Sequence, residues 1–208
     1  MNQQSKQQPM NKNKTRILGV AALVLLSGLL TGCARPGDES MAERLAEKYA
    51  CKDMEVVEFV RTDSLPGIYS FVAQYTFQYR FKEGEAGAKK FYKAVFERLD
   101  LKGDDWEAAV KSKKMQDYLA EECASDAQPL MEKLVYMMSP QFEAKKEALR
   151  LPTILMMDGW SEFMPGRRGW DITKGRDRIV GEPVFSEPVK RELLLSKNGG
   201  ASQKDKKK

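Results

Sequence analysis

Between Gly159 and Arg178 the chain reads GWSEFMPGRRGWDITKGRDR, which sets Trp160, Phe163 and Trp170 among Arg167, Arg168, Lys174 and Arg176. Large aromatic side chains beside guanidinium groups dominate interaction hot spots, because they bury much area and offer planar donors. Trp160, Phe163, Arg167, Arg168 and Trp170 therefore form the candidate binding surface. Catalysis has less to draw on. The 208 residues contain no histidine, which removes Ser-His-Asp and Cys-His arrangements and imidazole acid-base chemistry. No serine is followed three positions later by lysine, so the serine-lysine pattern of penicillin-recognising enzymes is missing. The stretch GEAGAKK, from Gly84 to Lys90, lacks the spacing and the hydroxyl of a phosphate-binding loop. Two carboxylates alone suffice for glycoside hydrolysis. Here Asp104 and Asp105 read as helix-start residues, and Glu121 and Glu122 as a solvated face. The sequence predicts no enzyme, no metal site and no cofactor.

The three cysteines divide by context. Lys6, Lys12, Lys14 and Arg16 form a basic segment without an acid, and Ile17 to Leu30 is apolar except at Gly19, Ser27 and Gly28. That run of about 14 residues falls short of the roughly 20 that cross a hydrocarbon core and suits the core of an export signal. Leu30, Thr31, Gly32 and Cys33 close it. This order resembles the lipobox of bacterial lipoproteins. The resemblance implies a diacylglyceryl group on the Cys33 sulfur, cleavage before Cys33, and acylation of the new amino terminus. Several acyl chains give stable anchoring where one is marginal. It also implies a cell-envelope location, a membrane partner through the lipid anchor, and a signal peptide over residues 1–32. Ala34, rather than Asp, follows Cys33. By the same resemblance that points to the outer membrane, facing the periplasm. Cys51 and Cys123 remain. An oxidising compartment predicts a disulfide between them, with two buried free thiols as the alternative. Closing a loop of about 70 residues is worth roughly 4 kcal/mol on chain-entropy grounds.

Charge argues against nucleic acid. The formal charge of +5 falls to +1 once the four basic residues of the signal are removed. Lys197, Lys204, Lys206, Lys207 and Lys208 stand against only Asp205 after Ser196, so the folded part is close to −3. Nucleic-acid binders carry a basic stripe on the domain itself, and this chain keeps its surplus in its ends.

The elements that must position these residues follow from periodicity. Ala34 to Ser40 reads as a tether, making residues 33–40 the lipidated cysteine and its linker. Ser40 and Glu43 suit a capping box for a helix from Met41 to Ala50. Met54 to Thr62 reads as a strand and Asp63 to Gly67 as a turn. Tyr69, Phe71, Ala73, Tyr75, Phe77, Tyr79 and Phe81 alternate with mostly polar residues, which predicts a strand with one aromatic face. Helices are expected from Glu85 to Leu99, from Asp104 to near Cys123, from Pro129 to Met138, and from Ser139 to about Leu149. Leu151 to Trp160 fits a short strand or a helix end, and Gly159 to Arg178 a long loop or irregular strands. Pro183 confines a strand from Arg178 to Phe185 to an edge. Residues 196–208 lack apolar content and read as a disordered tail.

The expected fold is α+β: a single domain over residues 41–195, with an antiparallel sheet built on a long hairpin and one face covered by several helices. The expected function is a non-catalytic interaction or assembly component of the envelope, with an envelope protein as partner. A lipoprotein that binds a lipid, glycan or small molecule is the alternative, and a histidine-free enzyme a third. An open aromatic face favours the ligand binder, and a covered one the interaction component.

Overall fold

A computed structural model describes residues 35–99, 106–167 and 169–195. The chain divides into Met1–Arg35 and Pro36–Lys208, and the second unit carries the elements described below. The signal segment, Cys33, Asp104, Asp105, Arg168 and residues 196–208 lie outside the described residues.

The fold is α+β. Helix α1 (Asp38–Lys48) is followed by strands β1 (Met54–Pro66) and β2 (Phe71–Phe81), which pair antiparallel. Five helices follow: α2 (Gly84–Leu99), α3 (Trp106–Val110), α4 (Lys113–Glu122), α5 (Gln128–Tyr136) and α6 (Ser139–Glu143). The short β3 (Ala148–Leu149) precedes the second long hairpin, β4 (Pro152–Gly166) with β5 (Gly169–Ile179). β4 lies antiparallel beside β2, giving the order β1-β2-β4-β5, and β6 (Val184–Phe185) pairs with the start of β4. β7 (Val189–Lys190) pairs with β3, and α7 (Arg191–Leu195) ends the described chain.

The aromatic row of β2 is the floor of the core. Phe71, Ala73, Tyr75, Phe77, Tyr79 and Phe81 are each at most 2% exposed. Strand alternation sends this set to one face, where α1 and α2 close over it. Tyr49 meets Phe77 and Tyr79, and Phe91 and Tyr92 meet Phe81. Burying one such ring stabilises the fold by about 1.5–3 kcal/mol. A second cluster joins the helices: Trp106 stacks on Phe142 at 4.2 Å, and its indole donates to the Val135 carbonyl at 3.2 Å. A disulfide joins Cys51 to Cys123 across 4.1 Å between Cα atoms. Backbone bonds from Lys52 to Glu122 and from Ala124 to Ala50 flank it.

Several boundaries differ from the sequence reading. α1 begins at Asp38 with Gly37 as its N-cap, so Ser40 lies inside the helix and the linker is shorter than expected. Asp38 and Glu39 fill the first turn, where acids complement the helix dipole. β1 runs on through Asp63 to Pro66, opposite Gln74 to Phe71. Pro66 is tolerated because β1 is an edge strand. The turn therefore falls at residues 67–70, and Tyr69 stands in it 79% exposed, outside the aromatic face. The helix expected up to Cys123 breaks where the Ser112 hydroxyl caps α4 by accepting from the Met115 amide. α6 stops at Glu143 and Lys145 takes φ +49°, so no helix reaches Leu149. The stretch Gly159 to Arg178, expected as a loop or irregular strands, is most of the β4–β5 hairpin.

Candidate functional site

Once residues 152–166 form a strand, alternation decides what each side chain can do. Leu155, Met157, Ser161 and Phe163 point to the helix-covered face and are fully buried. Trp160 points the opposite way and is 41% exposed. The five-residue surface expected from sequence therefore does not assemble. Phe163 belongs to the core, opposite Phe71 on one side and Ile172 on the other. Trp170 pairs with Pro165 near the end of the hairpin and packs half-buried against the core. Arg167 is exposed in the β4–β5 turn, and Arg168 lies outside the described residues. Of the described members, Trp160 and Arg167 are exposed, at different places on the hairpin.

Register supplies the neighbours of Trp160. Gln74 of β2 lies opposite it on one side and Arg176 of β5 on the other. One step along, Thr76, Asp158 and Arg178 form the next row. Arg178 donates to Asp158 Oδ2 through Nε at 3.0 Å and Nη2 at 2.7 Å. Among the described residues no ion pair engages Arg176, and its side chain is exposed. Gln74, Asp158, Trp160, Arg176 and Arg178 border a shallow hollow of about 370 Å³ over Gly159. The hollow offers an indole face, an unpaired guanidinium and an amide on a rigid sheet. Such side chains have the chemistry to contact a planar, polar or anionic surface, and among the described residues lining the hollow there is no nucleophile paired with a base. Sequence reasoning placed Arg176 near the aromatic residues but passed over Gln74, Asp158 and Arg178, because cross-strand register sets their proximity.

The inner side of the same rows holds a buried polar network. Tyr75, Gly159 and Asp177 are aligned across β2, β4 and β5. The Asp177 side chain, 2% exposed, crosses over Gly159. Its Oδ1 accepts from the Tyr75 hydroxyl at 2.8 Å. Its Oδ2 accepts from Lys48 Nζ at 2.6 Å and from the Tyr49 hydroxyl. Tyr75 in turn accepts from Ser161 Oγ at 2.6 Å. Burial pushes both phenols well above their ordinary range, and the Asp177 carboxylate pushes them further the same way. They stay protonated and serve as donors. With the carboxylate closed off from solvent, the network pins α1 to the sheet and offers no access to a substrate.

The acids Glu121 and Glu122, singled out in the sequence, are paired with bases away from the hollow. Glu121 pairs with Arg98 at 2.7 Å and Glu122 with Lys52 at 3.0 Å. A groove of about 600 Å³ beside α1 carries Arg44, Glu47, Asp126, Asp171 and Lys174, with Arg44 bonded to Glu47 at 2.6 Å. Among the described residues no group of three or more Cys, Asp or Glu side chains is placed to hold a metal ion, and no helix is long and apolar enough to cross a membrane. No protein-family model, curated protein or solved structure matches the chain.

Proposed function

We propose that this protein is a lipid-anchored component of a bacterial envelope, on the periplasmic face of the outer membrane, and that it acts by binding another envelope protein rather than by catalysis. One observation carries the reading: Trp160 and Arg176 stand exposed side by side on the outward face of a sheet whose inner face is filled. The aromatic row of β2, the alternative ligand surface, is closed by α1 and α2. The closed inner face supports the outward face as the partner surface in this reading. A tryptophan and an arginine held by strands lose little conformational freedom on binding, so contact there yields affinity efficiently. The basic segment, apolar run and Leu30-Thr31-Gly32-Cys33 supply the address.

A second reading rests on the hollow itself. Its indole face and polar rim also suit a sugar ring stacked on Trp160.

Photo-crosslinking in intact envelopes tests both, comparing wild type with a Trp160→Ala/Arg176→Glu variant. A discrete protein adduct that disappears in the variant is the expected result. Adducts unchanged by the variant overturn this surface. Absence of any protein adduct, with Trp160-dependent retention on immobilised envelope glycan, transfers the site to the second reading.

A further inference from the structure

Three parts of the domain converge on one end of the sheet. Phe71, the first residue of β2, lies opposite Phe163 near the end of β4, so the turn at residues 67–70 and the β4–β5 turn at Arg167 share that end. The start of α1 is linked to that end through Arg61, which pairs with Tyr75 on the neighbouring strand. Asp38, in its first turn, pairs with Arg61 at 3.1 Å, and the Arg61 guanidinium lies 5.8 Å from the Phe71 ring centroid. Arg44 reaches Asp171, two residues into β5, at 4.0 Å. The other end of α1 meets Asp177, which shares the Tyr75 row with Arg61, and Tyr79, farther from the tips.

Among the described residues, four of the nine exposed large apolar side chains lie at the same end, including the three most exposed. Ile68 is 90% exposed, Tyr69 79%, Leu65 71% and Met164 38%. They stand on two neighbouring hairpin tips with the exposed Arg167 between the strands of the second.

We propose that this end of the domain seats on the lipid bilayer, with Leu65, Ile68 and Tyr69 entering the boundary between headgroups and acyl chains. The inference rests on the lipid anchor at Cys33 proposed above. Gly37, the N-cap of α1, follows Cys33 by four positions. A chain of that length spans at most about 14 Å. An acylated Cys33 therefore keeps the start of α1 close to the membrane surface, and Arg61 on Phe71 and Arg44 on Asp171 tie α1 toward the two tips. Aliphatic residues beside a tyrosine suit that depth, where an aromatic ring meets both apolar and wet surroundings. Arg167 matches the phosphate of a headgroup. The anchor supplies a high effective concentration, so a few side chains suffice where they could not hold a free domain. Seated this way, the sheet stands up from the membrane with Trp160 and Arg176 on its side wall, open to a partner.

The test uses the full lipidated protein in vesicles of phosphatidylethanolamine and phosphatidylglycerol. A photoreactive benzoylphenylalanine replaces Ile68 in one sample. In a control it replaces Val184, which is 48% exposed and pairs with Ile154 toward the other end of the sheet. The mass of the N-terminal peptide reports the acyl groups on Cys33 in both. The expected result is several-fold more lipid adduct from position 68 than from 184. Equal or negligible lipid adduct from position 68 on an acylated protein overturns the seating and leaves the anchor standing. A protein without acyl groups on Cys33 overturns the anchor and the seating together.

Discussion

The carboxylate of Asp177 occupies the space that a side chain at residue 159 would fill. From that place it crosses β4 to accept a hydrogen bond from Tyr75 on β2, while Lys48 and Tyr49 reach it from α1. A glycine at this one register position lets the outer strand and the helix share a buried anion.

Gly159→Ala should therefore destabilise the domain by about 2–4 kcal/mol, combining overpacking with displaced buried hydrogen bonds. Urea unfolding measures it. Combined with Asp177→Ala, the substitution should cost less than the sum of the two single changes, because the clash is relieved. Strict additivity would show that the two residues do not meet.

Two neighbours on the candidate stretch should respond in opposite ways. Phe163→Ala removes a fully buried ring and should cost about 3–5 kcal/mol. Trp160→Ala should leave stability within about 1 kcal/mol of wild type and abolish the protein adduct. A Trp160→Ala variant that unfolds as readily as Phe163→Ala would contradict the strand assignment.

The buried tyrosines give the domain an alkaline limit. Burial raises Tyr49, Tyr75, Tyr79 and Tyr92, and pushes Tyr118 up to about 12. A phenol whose folded pKa exceeds its unfolded value of about 10 binds its proton more tightly when folded. Stability is complete below pH about 10 and falls as pH rises through the folded values, by up to about 1.4 kcal/mol per pH unit for each ring. Unfolding free energies from pH 8 to 11 should bend downward near pH 10. Tyr75→Phe should make that fall shallower, and an unchanged slope would exclude Tyr75 from it.

Reduction of the Cys51–Cys123 bond, which closes a sequence separation of 72 residues, should lower stability by up to about 4 kcal/mol. The urea midpoints of oxidised and reduced protein measure the difference. Equal midpoints, or free alkylation of both thiols without reductant, would contradict the bond.

Cys33→Ser should abolish incorporation of labelled palmitate and leave the precursor uncleaved. Labelling that persists would place the acyl groups elsewhere and remove the basis for the envelope address.

The α+β class, the order of the main helices and the buried row on β2 were legible in the sequence, because they rest on local periodicity. Seven alternating positions from Tyr69 to Phe81 can satisfy only a strand, and the spacing of Tyr92, Val95, Phe96 and Leu99 only a helix face. The same locality misplaced Tyr69, since alternation carries on into a turn that only the pairing of Pro66 with Phe71 fixes. It also left the β4–β5 hairpin undecided between strands and a loop, because glycines and arginines weaken the pattern there and the strand is secured by β2 beside it. The candidate surface shows the limit most clearly. The sequence put Trp160 and Phe163 three positions apart, and a strand sends odd-spaced residues to opposite faces. Which residues join Trp160 is a matter of register between strands far apart in the chain. Gln74, Arg176 and the Asp177 bridge to Tyr75 follow from how β2, β4 and β5 align, and nothing local encodes that alignment.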